Sequence, residues 1–191
     1  MTPAIGHNSG RVIEAGYSWR KHVWTKARAE LLPKLPIEVV RLRVKRAAEL
    51  GLPYKTYAGI RASTGHDLIG FLFSSNALQL LRGHQSLSQQ RGEKLARLRG
   101  ARRSAIVHQP VSVAQVERLA VLDRAFAAPA FTDSWAEMRD KIKSIVAEDG
   151  GPADRLLMIG DTAFEREWAE AGRMAGYLDA EAFFGGPSVA T

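Results

Sequence analysis

Apolar positions along the chain recur in two ways. Spacings of three and four predict helices, and short compact runs bounded by polar residues predict buried strands. In YSWRKHVWTKARAELL (17–32), Trp19, Val23, Ala27 and Leu31 fall near helical spacing before Pro33 and Pro36 break the pattern. A second helix is expected after Pro36, with Ile37, Val40, Val44, Ala47 and Leu50 as its stripe and Gly51 as its cap. Leu68 to Phe73, 104–108 and 156–159 read as strands that end at Ser74-Ser75-Asn76, His108-Gln109 and Gly160-Asp161. Helices are expected over 93–100, over 112–127 from Ser112, over 134–150 between Ser134 and Gly150, and over 161–176 from Asp161 or Thr162.

From about residue 66 the order is β, α, β, α, α, β, α. Strands alternating with helices imply parallel strands joined by crossovers, hence a doubly wound α/β sheet. The domain plan that follows is a disordered tail over 1–16, a basic helical section over 17–66, an α/β domain over 67–185 and a tail over 186–191. In such sheets ligands bind outside the carboxyl ends of the strands. Ser74, Ser75, Asn76, His108 and Asp161 stand at such ends, so they are the first candidates for a site.

Composition narrows the class. The 191 residues are 46% hydrophobic, enough for a core, and contain no cysteine, which excludes disulfides and thiolate metal sites. No apolar run approaches the roughly 18 residues of a membrane span. The first ten residues, MTPAIGHNSG, show no secretory pattern, so a cytoplasmic location and no membrane contact are the expectation. His7, His22, His66 and His84 show no metal-ligand spacing, and no metal site is expected beyond Asp161 as a weak candidate.

The net charge of +7 is unevenly placed. Residues 1–110 hold 19 Lys and Arg against 6 Asp and Glu, whereas 111–191 hold 8 against 14. A basic front half suits a polyanion or an acidic protein partner, or simply packs against the acidic half. Within it, VKRAAELGLPYKTYAGIRA (44–62) has the outline of a helix-turn-helix, with Leu50, Leu52, Tyr57 and Ile60 between the helices. Lys55 and Arg61 would then lie on a recognition helix, and Arg41, Arg43, Lys45 and Arg46 would meet phosphates. A helical hairpin packed on a domain gives the same pattern.

Residues 68–176 resemble the haloacid dehalogenase (HAD) superfamily of phosphatases and phosphotransferases. LLMIGDTAFEREWAEAG resembles its last motif, an apolar strand and Gly-Asp with a second acid four residues on, here Asp161 and Glu165. GEKLARLRGARRSAIVHQP resembles the second segment, with His108 where the family has Ser or Thr, and IGFLFSSNAL resembles the first, with Ser74 and Asn76 in place of its two acids. Lys141 and Lys143 are candidates for the lysine that usually precedes the last motif. The resemblance implies a HAD-like (Rossmannoid) parallel sheet flanked by helices and preceded by the basic helical section.

HAD chemistry needs a carboxylate nucleophile, a second acid for proton transfer and a carboxylate cluster for Mg²⁺. Ser74 and Asn76 supply neither acid. The reading is therefore a non-catalytic HAD-like protein that binds a partner or a phosphorylated ligand, with no cofactor. Ser74, Ser75, Asn76, His108, Lys141, Asp161 and Glu165 are its ligand-binding candidates. The alternatives are a HAD-type phosphatase of unusual chemistry, using Mg²⁺, and a DNA-binding regulator acting through Arg41, Lys45, Lys55 and Arg61. Each residue also has a simpler role: Asp161 and Thr162 as helix caps, His108 as a satisfied core histidine, 74–76 as a turn, and Trp135 and Trp168 as core or groove walls.

Overall fold

The structure is a computed structural model that describes residues 35–185. The helix expected over 17–32 and both expected tails lie outside the described residues. The chain divides into two compact units, 1–40 and 41–191. Of the first only 35–40 are described, and they begin α1 (Ile37–Glu49) directly after Pro36. The expected apolar stripe of α1 is buried only at its end. Ala47 and Leu50 are buried, whereas Ile37 and Val44 are exposed.

The second unit is a three-layer α/β fold. After α2 (Tyr54–Thr64), strands and helices alternate strictly: β1 (Gly70–Ser74), α3 (Gln89–Arg97), β2 (Arg102–Val107), α4 (Val113–Glu117), β3 (Arg124–Ala127), α5 (Trp135–Asp149), β4 (Leu156–Gly160), α6 (Ala163–Ala171), β5 (Gly176–Asp179) and α7 (Ala180–Phe184). All strand pairs are parallel, in the order β3-β2-β1-β4-β5. The three strands expected from the sequence are the three central ones.

Every residue of β1 and β4 is buried, as helices on both faces demand. Side chains alternate between two cores. Phe71, Phe73, Leu157 and Ile159 face a layer containing Leu50, Leu52, Tyr57, Leu95 and Phe183. Leu72, Leu156 and Met158 face Met138, Ile142 and Trp168 of α5 and α6.

Two expectations are corrected. The single helix over 112–127 is a five-residue helix, a turn and the edge strand β3. Its apolar residues satisfy helical spacing, but Asp123 overrides it. The Asp123 N–H donates to the Arg103 carbonyl and its carboxylate accepts from the Arg103 N–H, both at 2.8 Å, which draws the chain onto β2. The helix over 161–176 stops at Ala171, and β5 follows. Arg173, at φ +54°, closes it: its N–H donates to Glu170 and that of Met174 to Ala169, a Schellman arrangement built on arginine instead of glycine.

One side chain joins the helical section to the sheet. Arg46 Nε donates to Asp67 at 2.9 Å, Nη2 to the carbonyls of Leu68 and Gly100 at 2.9 Å each, and Nη1 to the Arg99 carbonyl at 3.1 Å. Gly100 has φ +64°, and a Cβ there would sit 2.8 Å from Arg46 Nη1. Arg46→Ala strips partners from several part-buried groups, so it is expected to lower stability by about 2–4 kcal/mol with no rescue by Lys. Chemical denaturation checks this; a loss below about 0.5 kcal/mol, the level of an ordinary surface change, refutes it.

Candidate functional site

The strand order reverses between β1 and β4. The chain runs outward from β1 to β3, then returns to the other side of β1, and the crevice at such a switch point is where open α/β sheets bind ligands. Ser74, Asn76, Asp161 and Glu165 come to this point from the ends of β1 and β4, and His108 from the end of β2.

They meet around one carboxylate. Glu165 is fully buried. Its Oε1 accepts from Asn76 Nδ2 at 2.9 Å and lies 2.9 Å from His108 Nε2; its Oε2 accepts from the backbone N–H groups of Asp161 at 2.6 Å and Thr162 at 3.1 Å. Because a carboxylate only accepts, the network assigns the His108 proton to Nε2. The Thr162 hydroxyl accepts from Glu165 N–H, completing a capping box, so Thr162 and not Asp161 caps α6. Gly160 makes room, since a Cβ there would meet Tyr177 at 2.6 Å and Glu165 Oε2 at 2.9 Å.

Burial opposes the charge of Glu165, but hydrogen bonds from His108, the Asp161 backbone and the Ser74 side chain outweigh it and hold the carboxyl below its ordinary value. Tyr177 is pushed up to about 12 by burial first and then by the charges of Asp179 and Glu165. Ser74 and Ser75 are buried and serve the backbone: Ser74 Oγ accepts from Ala77 N–H and Ser75 Oγ from His108 N–H.

The His108 ring lies between Trp168 and Phe131, with centroids 5.0 and 5.5 Å away. Together with Gln109 and Phe131 it lines a cavity of about 260 Å³ at the ends of β2 and β3. Trp168 is core, whereas Trp135, expected in a core or groove, is 59% exposed and carries Arg139 over its ring. Lys141 is not at this centre; its Nζ pairs with Asp133 at 2.7 Å. Among the described residues no group of three or more His, Cys, Asp or Glu is arranged to hold a metal ion.

A second cavity, about 380 Å³, opens on the other side of the switch point and is lined by Asp161 together with Gln79, Gln90, Arg91 and Glu181. Sequence reasoning missed Arg91. It expected α3 to begin at Glu93, yet Ser88, whose side chain caps the helix, marks the true start and puts Arg91 in its first turn.

The nucleic-acid candidates are elsewhere. Arg41, Lys45 and Lys55 are exposed on α1 and α2, and Arg61 lies 3.7 Å from Asp67. Arg46, expected at phosphates, is held by the bonds described above. Leu50, Leu52 and Tyr57, expected between the two helices, are buried in the core shared with the sheet, as in a helical hairpin packed on a domain. Among the described residues no helix is long and apolar enough to cross a membrane. Comparison with known protein families, curated proteins and solved structures finds no match to this chain.

Glu165 sets the pH response. Its folded-state value lies below its unfolded one, near pH 4.3. Its stabilisation is therefore complete above that range and is lost as pH falls through the folded value. The thermal midpoint should drop on acidification below about pH 4, with a smaller drop in Glu165→Gln. At neutral pH, Glu165→Ala should lower stability by about 3 kcal/mol, because the buried His108 and the part-buried donors of Asn76, Asp161 and Thr162 lose their acceptor. A midpoint equally acid-sensitive in wild type and Glu165→Gln would rule out this assignment.

Proposed function

We propose that this chain is a non-catalytic, HAD-like binding domain whose crevice at the ends of β1 and β4 holds a partner or a phosphorylated ligand without turning it over. The observation that carries this reading is the use of Glu165. The residue that resembles the second acid of the family's last motif is enclosed by Asn76, His108, two backbone donors and the Ser74 side chain, leaving it no free lone pair directed at a substrate. The neighbouring nucleophile position holds Ser74, buried and engaged with Ala77. A covalent phosphoryl intermediate needs an activated nucleophile, and the acid that accepts from this hydroxyl, Glu165, is held below its ordinary value by its other donors, which makes it a poor general base.

The HAD likeness itself rests on Gly160-Asp161 and Glu165 at the end of a central strand and on the polar ends of β1 and β2 beside it. Strand order alone is shared by many unrelated functions and carries none of them.

With Mg²⁺ and a generic aryl phosphate, the purified chain should release phosphate at the background rate across pH 5–9. Turnover that disappears in Asp161→Asn would establish the phosphatase alternative instead. The assay should accompany a folding check by circular dichroism, so that inactivity is read on a folded sample.

A further inference from the structure

We infer that the cleft between α3, α7 and the end of β4 binds a small zwitterion, its oxyanion on Arg91 and its ammonium between Asp161 and Glu181. This deepens the binding-domain reading and rests on it.

Arg91 is held as a preset fork. Its Nε donates to the Ala77 carbonyl at 3.0 Å, and the guanidinium lies over the Phe184 ring, 4.8 Å from the centroid. Neither terminal nitrogen has a hydrogen-bond or ion-pair partner among the described residues. A planar fork fixed at one end and open at the other suits bidentate binding of a carboxylate or phosphate.

Asp161 lines the same cleft, and its carboxylate likewise has no partner among the described residues. The two opposite charges feel each other but form no ion pair within 4.0 Å. They face a shared space of about 380 Å³ that a ligand with both signs of charge would bridge. Glu181 adds a second acid, so the charged lining is two carboxylates to one guanidinium. That balance repels a bare phosphate dianion and favours an oxyanion that brings its own ammonium.

The wall itself is built to hold this shape. Gln79, beside the cleft, adopts φ +58°, a left-handed conformation uncommon for a residue with a side chain. Such strain is kept where surrounding structure imposes it, and here the turn after β1 does so through the bonds from Gln79 N–H to Asn76 and from Leu80 N–H to Ser75. The amides of Gln79 and Gln90 add donors and acceptors without adding charge.

The oxyanion has two sources, an α-amino acid carboxylate or an amino-alkyl phosphate monoester. Calorimetric titration of the full chain separates them, using L-alanine and L-lysine in one arm and O-phosphoethanolamine in the other. Inorganic phosphate, acetate and ethylamine are the single-charge controls. At least one zwitterion arm should bind about tenfold or more tightly than every control, and the tighter arm names the oxyanion. Arg91→Lys keeps the charge but loses the fork, and should weaken binding by about tenfold. Asp161→Asn, at an exposed position, should weaken it comparably with the fold intact. Absence of zwitterion binding, inorganic phosphate as tight as O-phosphoethanolamine, or unchanged affinity in both variants overturns the assignment. Aryl phosphate turnover by the same sample would reject the binding-domain reading as a whole, whereas an inert sample that ignores zwitterions rejects only this ligand class.

Discussion

The ends of β1, β2 and β4 are organised by one buried carboxylate. Glu165 cannot remain charged in the interior unless donors surround it, and the donors come from three separate places: Asn76 after β1, His108 after β2, and the backbone of 161–162 after β4. The requirement explains several local features together. Gly160 lacks a side chain because Glu165 and Tyr177 occupy that space. Thr162 starts α6 because the capping box places Glu165 in the helix's first turn, pointing back at the strand end. His108 is fixed by the same acid and by the rings of Trp168 and Phe131.

The network also divides the crevice. On one side the His108–Phe131 wall leaves a small space by β2 and β3; on the other, Arg91 and Asp161 face a larger one by β4 and β5. An acid satisfied by protein groups is a structural element, and the unsatisfied charges lie beside it. At the opposite end of the sheet Arg46 plays a comparable part, turning a charge expected at a nucleic acid into the tie between α1, the entry to β1 and the turn before β2.

The central sheet was legible because its strands are unbroken apolar runs between turn residues, which only a doubly covered strand tolerates. The two edge strands were not. β3 and β5 are four residues each and partly exposed, so neither shows a long run or a clean alternation. Their signals are tertiary: the pairing of Asp123 with Arg103, and a helix end carried by Arg173 where a reader looks for glycine. At the site, the types and places of Asn76, His108, Asp161 and Glu165 could be read, but not that the first two would turn inward onto the last. That outcome depends on the packing of α6 against β4, which no local pattern encodes. Arg91 was hidden for a simpler reason, a helix start placed a turn too late.

The account stands on the bond between His108 and Glu165. Long-range proton–nitrogen NMR of the imidazole tests it directly, since the two neutral tautomers give distinct nitrogen shifts. The geometry predicts a proton on Nε2, shifted downfield and slow to exchange, and lost in Glu165→Gln or markedly changed there. A neutral ring protonated on Nδ1, or an Nε2 proton exchanging as freely as that of a surface histidine, would contradict it.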